Sequence, residues 1–387
     1  MLGGQIARAV TRRPTLRVLS AAIALWIRCV GIQCLAVGCL GVGCSQGPSS
    51  AQLDEWLAEA RAADEAAIAR YGDGDERAGW TLTLVGEGGA STELRWPTLD
   101  RMADTVVDTD LPPEGDVPRH ARFRAVTLDE LLDLTGGSAG HDEVTLVAFD
   151  GFRATIAVAD LEAHPIGLAL ESDGAPIPRA SGGPLFTVLP ITTSPSLADR
   201  YTSSTWVYYV THVLVDTPPA RIAVTDRRPG RDSSRRVVEP AELAALPVNR
   251  VTMSVGYRTG WPSEPVDLEG VLLREILAAC GLTLEAGDAL RVTSIAPLTQ
   301  GDARPTILTA DEVMLRPTLL AMRWAPEGTA HDPGSTLPIP ARLGGPLALG
   351  APSDVQTRLG DRVWLTFVDE LSVIRAAPAA REGEVTP

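Results

Sequence analysis

The tetrapeptide GGPL occurs twice, at 182–185 and at 344–347. Paired glycines let a backbone approach a bound group closely, and a following proline sets the direction of the next segment. Such a turn can present the N–H groups of Gly182 and Gly183, ahead of Pro184, to an anion. Two further residues could add polar chemistry. Asp150, with Gly151, stands in AFDGF (148–152), and His212 stands in TWVYYVTHVLV (205–215). Asp150, Gly151, Gly182, Gly183, Pro184 and His212 are therefore the candidate ligand-pocket residues. Each has a plainer reading beside the chemical one. Asp-Gly is a common hairpin turn, and Gly-Pro marks turns anywhere. A strand period of two would place His212 on one face with Tyr208 and Val210, as a satisfied structural histidine.

Metal and nucleophile chemistry finds little support. The histidines at 120, 141, 164, 212 and 331 show no zinc-ligand spacing with each other or with cysteine. No P-loop, GxSxG elbow or GxGxxG stands after a strand. GDGDERAG (72–79) lacks the twelve-residue calcium-loop pattern. Four of the five cysteines, at 29, 34, 39 and 44, precede the body of the chain, so only Cys280 remains there and no disulfide can form within it. Cys280 ends an apolar helical stretch, AACGL, where it reads as a small core residue.

The first fifty residues differ from the rest. They carry Arg8, Arg12, Arg13, Arg17 and Arg28 and no acid, whereas the whole chain has a net charge of −15. Basic residues followed by the apolar run 19–44 have the layout of a secretory signal, and Arg28 interrupts that run as a settled membrane span would not. The run ends in LGVGC (40–44), which resembles a bacterial lipoprotein signal with Cys44 as the lipidated residue; Cys39, ending LAVGC, is a second candidate. This predicts an exported, periplasm-facing chain anchored to the membrane through lipid. The acidic balance argues against nucleic acid as a partner and leaves a protein partner in the cell envelope as the expectation.

At 387 residues the chain can build two cores. Residues 52–71 have helical periodicity. WTLTLVG (80–86) alternates like a strand, RFRAVTLDELLDLTGG (122–137) turns helical, and EVTLVAFDGFRATIAV (143–158) reads as a hairpin about Asp150-Gly151. STWVYYVTHVLV reads as a long strand. Residues 218–238 hold six arginines and several prolines, as a solvated linker would, with an anion-binding patch as the sharper alternative. Beyond them the order repeats. AELAALP follows TLDRMAD, VDLEGVLLREILAACGL follows FRAVTLDELLDLTGG, GDALRVTSI follows HDEVTLVAF, and LTADEV follows VADLEA. LPIPARLGGPLALGAP follows APIPRASGGPLFTVLP, and VWLTFVDELSV follows TWVYYVTHVLV. Six matches in one order indicate two tandem copies of an α+β domain. The expected layout is a leader over 1–44, a tether and amphipathic helix over 45–79, a first domain over 80–217, the linker over 218–238, a second domain over 239–376 and a tail over 377–387.

In the first copy AVTLDELL (125–132), AFDGF, DLEAHPIGLAL with DGAPIP (160–178), GGPLFTVLP (182–190) and WVYYVTHVLV (206–215) together resemble the molybdopterin-binding domain of the sulfite oxidase superfamily. The second copy resembles it more weakly over 239–375. The resemblance implies an α+β fold with mixed β-sheets partly rolled into a barrel and peripheral helices, here duplicated. It also implies a molybdenum held by a cysteine between the opening segment and the LxxLL helix. Residues 104–125 and 248–269 occupy that span and contain no cysteine. The arginine that the family tends to carry after GPL is replaced by Phe186 and Ala348. A pterin carries phosphate and an anionic dithiolene, so its pocket needs cations and backbone donors. The expectation is a binding or scaffold module with no cofactor and no metal ligands, a pseudoenzyme. The alternative is a molybdopterin-dependent oxidoreductase with an atypical metal site in the first domain.

Overall fold

The structure, a computed structural model, describes residues 76–375 except 115–116, 232–233, 256–259, 296–305, 330–334 and 361–364. The expected leader with Cys44, the helix over 52–71 and the tail over 377–387 lie outside the described residues. The first half of the described chain runs β1 (Thr81–Val85), β2 (Ser91–Arg95), α1 (Trp96–Met102), β3 (Thr105–Glu114), β4 (Val117–Thr127) and α2 (Leu128–Asp133). It continues with β5 (Glu143–Ala148), β6 (Arg153–Ala157), α3 (Val158–Ala163), β7 (Gly167–Ser172), β8 (Ala175–Pro176), β9 (Phe186–Val188), α4 (Ser196–Arg200) and β10 (Val210–Val215). The second half runs β11 (Ile222–Asp226), β12 (Arg235–Val238), α5 (Pro240–Ala244), β13 (Val248–Met253), β14 (Val266–Leu272) and α6 (Leu273–Ala279). Then follow β15 (Asp288–Ser294), β16 (Thr306–Thr309), α7 (Ala310–Met314), β17 (Leu319–Pro326), β18 (Leu337–Pro338), β19 (Ala348–Gly350), α8 (Ser353–Leu359) and β20 (Val368–Arg375).

The architecture is mixed α+β, with four five-stranded sheets and short helices among the described residues. One sheet of the first half has the order β2-β1-β10-β5-β6, and one of the second has β12-β11-β20-β15-β16. The other pair is β3-β4-β7-β8 with β9 on β7, and β13-β14-β17-β18 with β19 on β17. β1 runs parallel to β10, and β11 runs parallel to β20, while the neighbouring pairs are antiparallel. Alternation explains the burial. TLTLV sends Leu82 and Leu84 into the first core beside Val144, Leu146, Val213 and Val215. A separate second core gathers Val224, Leu290, Val292, Leu371 and Val373. The two halves also repeat an ion pair at a helix start: Arg200 Nη1 lies 2.7 Å from Asp160 of α3, and Arg358 pairs with Glu312 of α7.

Three expectations are corrected. The stretch 122–137 is helical only over α2. The preceding residues extend β4, and the boundary is a capping box in which Thr127 accepts from the Glu130 N–H and Glu130 accepts from the Thr127 N–H. STWVYYVTHVLV is a strand only from Val210 onward, because Tyr209 has a left-handed φ of 56° and a bulge follows between Val210 and His212. Residues 218–238 are no linker: Ile222–Asp226 are all buried and form β11, which pairs with β12 and β20.

Four of the six arginines of that stretch pair with acids. Arg228 Nη2 lies 2.6 Å from Asp226 and Nη1 lies 2.9 Å from Asp288, with the guanidinium 4 % exposed. Arg227 pairs with Glu370, Arg231 with Glu285 and Arg236 with Glu242. Arg221 donates to the Gly88 carbonyl. The hydrogen bonds from Arg228 hold the Asp226 carboxyl below its usual range. Replacing Arg228 by alanine leaves two buried carboxylates without their central partner. We predict a loss of about 3–5 kcal/mol in urea unfolding. A change within experimental error would contradict the role given to this cluster.

Candidate functional site

Each GGPL turn follows a single 3-10 turn, Arg179–Ser181 in the first half and Ala341–Leu343 in the second. Gly182 and Gly344 then take left-handed φ values of 93° and 94°, which glycine adopts without penalty. The next glycine is required for space. A Cβ on Gly183 would overlap the Ile177 carbonyl, and one on Gly345 would overlap that of Ile339. This tight approach lets the turn satisfy itself. Gly182 N–H donates to Arg179 O at 2.9 Å and Gly183 N–H to Pro178 O at 3.1 Å. In the second half Gly344 donates to Ala341 O at 2.8 Å and Gly345 to Pro340 O at 2.9 Å. The donors expected to face an anion are spent inside the turn in both halves. Pro184 and Pro346 follow cis peptide bonds. The glycine carbonyls point onward: Gly182 O accepts from Tyr209 N–H at 3.0 Å and Gly344 O from Phe367 N–H at 2.7 Å.

Aromatic side chains fill the ground around the first turn. Phe186 is 4 % exposed and packs on Phe123 and Trp206, each at 5.6 Å between ring centroids. Tyr208 lies parallel to Phe186 at 5.1 Å and covers Gly182, where a Cβ would run into its ring. Asp150 and Gly151 reach the same region through their neighbour, since Phe149 N–H donates to Tyr209 O and the two rings meet edge to face at 4.9 Å. The Asp150 carboxylate serves its own turn, accepting from Phe152 N–H at 2.9 Å, and Gly151, at φ 79°, donates to Ala148 O. Buried Thr187 Oγ1 has no hydrogen-bond partner. Thr187 stands on β9 opposite Leu168, at the register position that Leu349 holds opposite Leu320 in the second half.

His212 does not join this group. The bulge after Val210 sends Val213 and Val215 into the first core and turns His212 and Leu214 to the opposite face of the sheet. There His212 lies in a row between Thr83 and Val147, and the second half covers the face. Val147 and Leu214 pack against Ala341 and Phe367, with Val85 and Ile295 at the margin. Polar contacts ring this apolar centre. Arg342 pairs with Glu143 at 3.2 Å, Arg153 Nε donates to Arg342 O at 2.9 Å, and Ala341 N–H donates to Thr217 Oγ1 at 2.9 Å. The second GGPL turn is therefore a docking element against the first half. Burial pushes the His212 imidazole down to about 4.

The second turn is also closed from within its own half. Trp261, 8 % exposed, donates its indole N–H to Leu343 O at 2.8 Å, immediately before Gly344, and meets Trp324 edge to face at 5.1 Å. Trp261 belongs to the span 248–269, where the resemblance would place a cysteine ligand. Cys280 is half-buried at the end of α6 against the second core, and burial raises its thiol above the usual range. Among the described residues no cluster of three His, Cys, Asp or Glu side chains could hold a metal. Around the turns, then, the glycine N–H groups are used within the turn, aromatic rings pack beside them, and the thiol of Cys280 lies elsewhere.

Sequence reasoning missed Arg179, Phe149, Tyr208, Tyr209 and Trp261 as parts of the two turns. The aromatic run 206–209 and the tryptophans were legible signals, but only the fold shows that they converge on GGPL. No protein-family model matches the chain, and no curated protein sequence matches it. Among solved structures, the crystal structure of the sulfane dehydrogenase SoxCD from Paracoccus pantotrophus aligns with 78 % of this chain and 79 % of its own, at 12 % identity and a TM-score of 0.31.

The depressed imidazole carries a pH consequence. Between the ordinary histidine value near 6.5 and about 4, the folded state holds fewer protons at His212 than the unfolded state, so stability falls as pH drops through that window. We predict that urea midpoints measured at pH 7 and pH 5 separate less in His212→Gln than in the parent chain. Equal separation in both would remove His212 as a source of acid sensitivity.

Proposed function

We propose that the chain is an exported cell-envelope lipoprotein whose body is two tandem sulfite-oxidase-like α+β domains acting as a binding or scaffold module. The observation that carries this reading is the closed state of both GGPL turns. Their N–H donors are satisfied internally, and Phe186 with Tyr208 in one half and Trp261 in the other stand where a cofactor would approach. Matching sheet orders and matching turns support tandem duplication. With β11 assigned to the second half, the first copy covers 80–217 and the second begins at Ile222. The fold class proposed for each copy is the partly rolled sheet pair with peripheral helices.

The reading predicts that protein purified from a host that makes molybdenum cofactor contains background molybdenum by elemental analysis and releases no fluorescent oxidised pterin on acid treatment. Stoichiometric molybdenum would overturn it in favour of an oxidoreductase with an atypical metal site.

Anchoring rests on LGVGC, with Cys44 as the modified residue and the membrane as the partner reached through lipid. Cys44→Ser is predicted to abolish palmitate incorporation and to move the chain from the membrane to the soluble fraction. Unchanged labelling, or labelling lost instead in Cys39→Ser, would overturn that assignment.

A further inference from the structure

One arginine of the second half has no partner in the fold. Leu290, Val292, Leu371 and Val373 face the second core, so the alternate residues Arg291 on β15 and Ser372 on β20 lie on the outer face of their sheet. They belong to one cross-strand row, Arg235, Thr225, Ser372, Arg291 and Ile307. Arg291 is half-buried, and the small residues beside it, Ala289 and Ser372, are each 2 % exposed. Among the described residues its Nε is the one buried side-chain nitrogen without a hydrogen-bond partner, and no carboxylate pairs with its guanidinium. A donor left in that state bears its full desolvation cost. Glu370, two residues along β20 from Ser372, is taken by Arg227 and Ser372. The corresponding row of the first half makes no such demand. Val85, Leu214 and Thr145 stand there, Thr145 Oγ1 lies 3.0 Å from Thr155 Oγ1, and Leu214 is packed by Ala341 and Phe367 of the second half.

The sequence continues from β20 into AAPAAREGEVTP, residues 376–387, which lie outside the described residues. We propose that this segment folds back over the outer face of β20 and β15 and sets the Glu382 and Glu384 carboxylates against the Arg291 guanidinium. Three observations select this occupant. The first is reach. Arg375 ends β20 three residues beyond Ser372, a return of roughly 10 Å, and the seven residues from Arg375 to Glu382 can span up to about 24 Å, enough to reverse and come back. Pro378 lies inside that stretch, where a reversal needs a turn residue. The second is charge. The segment carries two acids close together, and the row carries Arg291 and, at its β12 end, Arg235, neither of which has a described carboxylate partner. Attachment to the same strand keeps those two acids at a high local concentration over the face. The third is bulk. Ala376, Ala377, Ala379 and Ala380 allow a close approach to a face whose middle residues are themselves small.

The test is limited trypsin digestion of the full chain, with cleavage after Arg381 followed by mass spectrometry. A synthetic peptide of residues 376–387 gives the rate for an undocked segment. The parent chain is expected to be cleaved at Arg381 at least about tenfold more slowly than the peptide, because a docked site is open only briefly. Arg291→Gln is expected to bring the rate close to that of the peptide, and Arg95→Gln, which removes an exposed arginine of the first half, to leave it at the parent value. Equal rates for parent chain and peptide, a slow rate that survives in Arg291→Gln, or equal acceleration in Arg95→Gln would each overturn the proposal. Urea midpoints guard against a general loosening by Arg291→Gln. That variant and the Glu382→Gln, Glu384→Gln pair should each lower the midpoint, and the three changes together should lower it no further than the larger of the two. Additive shifts would overturn the pairing. Self-association of the parent chain that Arg291→Gln abolishes, with Arg381 cleaved at the peptide rate throughout, would give the face to a second copy and overturn it as well.

Discussion

The close approach of Gly183 to the Ile177 carbonyl, repeated at Gly345 and Ile339, is the constraint on which each half depends. Only a residue without Cβ fits, and the compact turn that results can return its own N–H groups to the carbonyls just before it. The released glycine carbonyls then fix the residue just before the last strand, Tyr209 in one half and Phe367 in the other, both at positive φ. That strand lies at the centre of its sheet, beside the parallel strand that opens the half. One turn thus ties together chain segments from three parts of each half. It does so by consuming the groups that would make it an anion cradle.

The contact between the halves lies on a face of the first half that differs from the corresponding face of the second. The outer face of β10 and β5 is apolar where the second turn docks, with Leu214 and Val147 at its centre. The equivalent positions on β20 and β15 are Ser372 and Thr293, beside Glu370, which is held by Arg227 and Ser372. That face of the second half is polar. The burial of His212 has the same origin, since its side of the sheet is the side that the second half covers. At the first turn an arginine and two tyrosines, Arg179, Tyr208 and Tyr209, stand where the second has Ala341, Thr366 and Phe367.

Much of the element order could be read from the sequence because it depends on local signals. The hairpin about Asp150-Gly151, the alternating TLTLV and the order of the repeated segments all correspond to elements of the structure. What escaped depends on long-range geometry. The arginines near 227–236 suggested a solvated linker because several of their acidic partners, Asp288, Glu285 and Glu370, lie far along the chain. His212 was misplaced because a single bulge inverts the strand period after Val210, and no residue pattern announces that bulge. The candidate donors Gly182 and Gly183 were correctly read as a turn, but whether an N–H points outward or back into the chain is set by a 3-10 turn that leaves little trace in residue type.

The central claim is that both GGPL turns hold their own donors. Site-resolved hydrogen–deuterium exchange at the amides of Gly182, Gly183, Gly344 and Gly345 tests it directly. The account predicts protection at all four. Exchange of Gly182 and Gly183 at the rates of an unstructured chain would contradict it and return the first turn to the status of an available anion cradle.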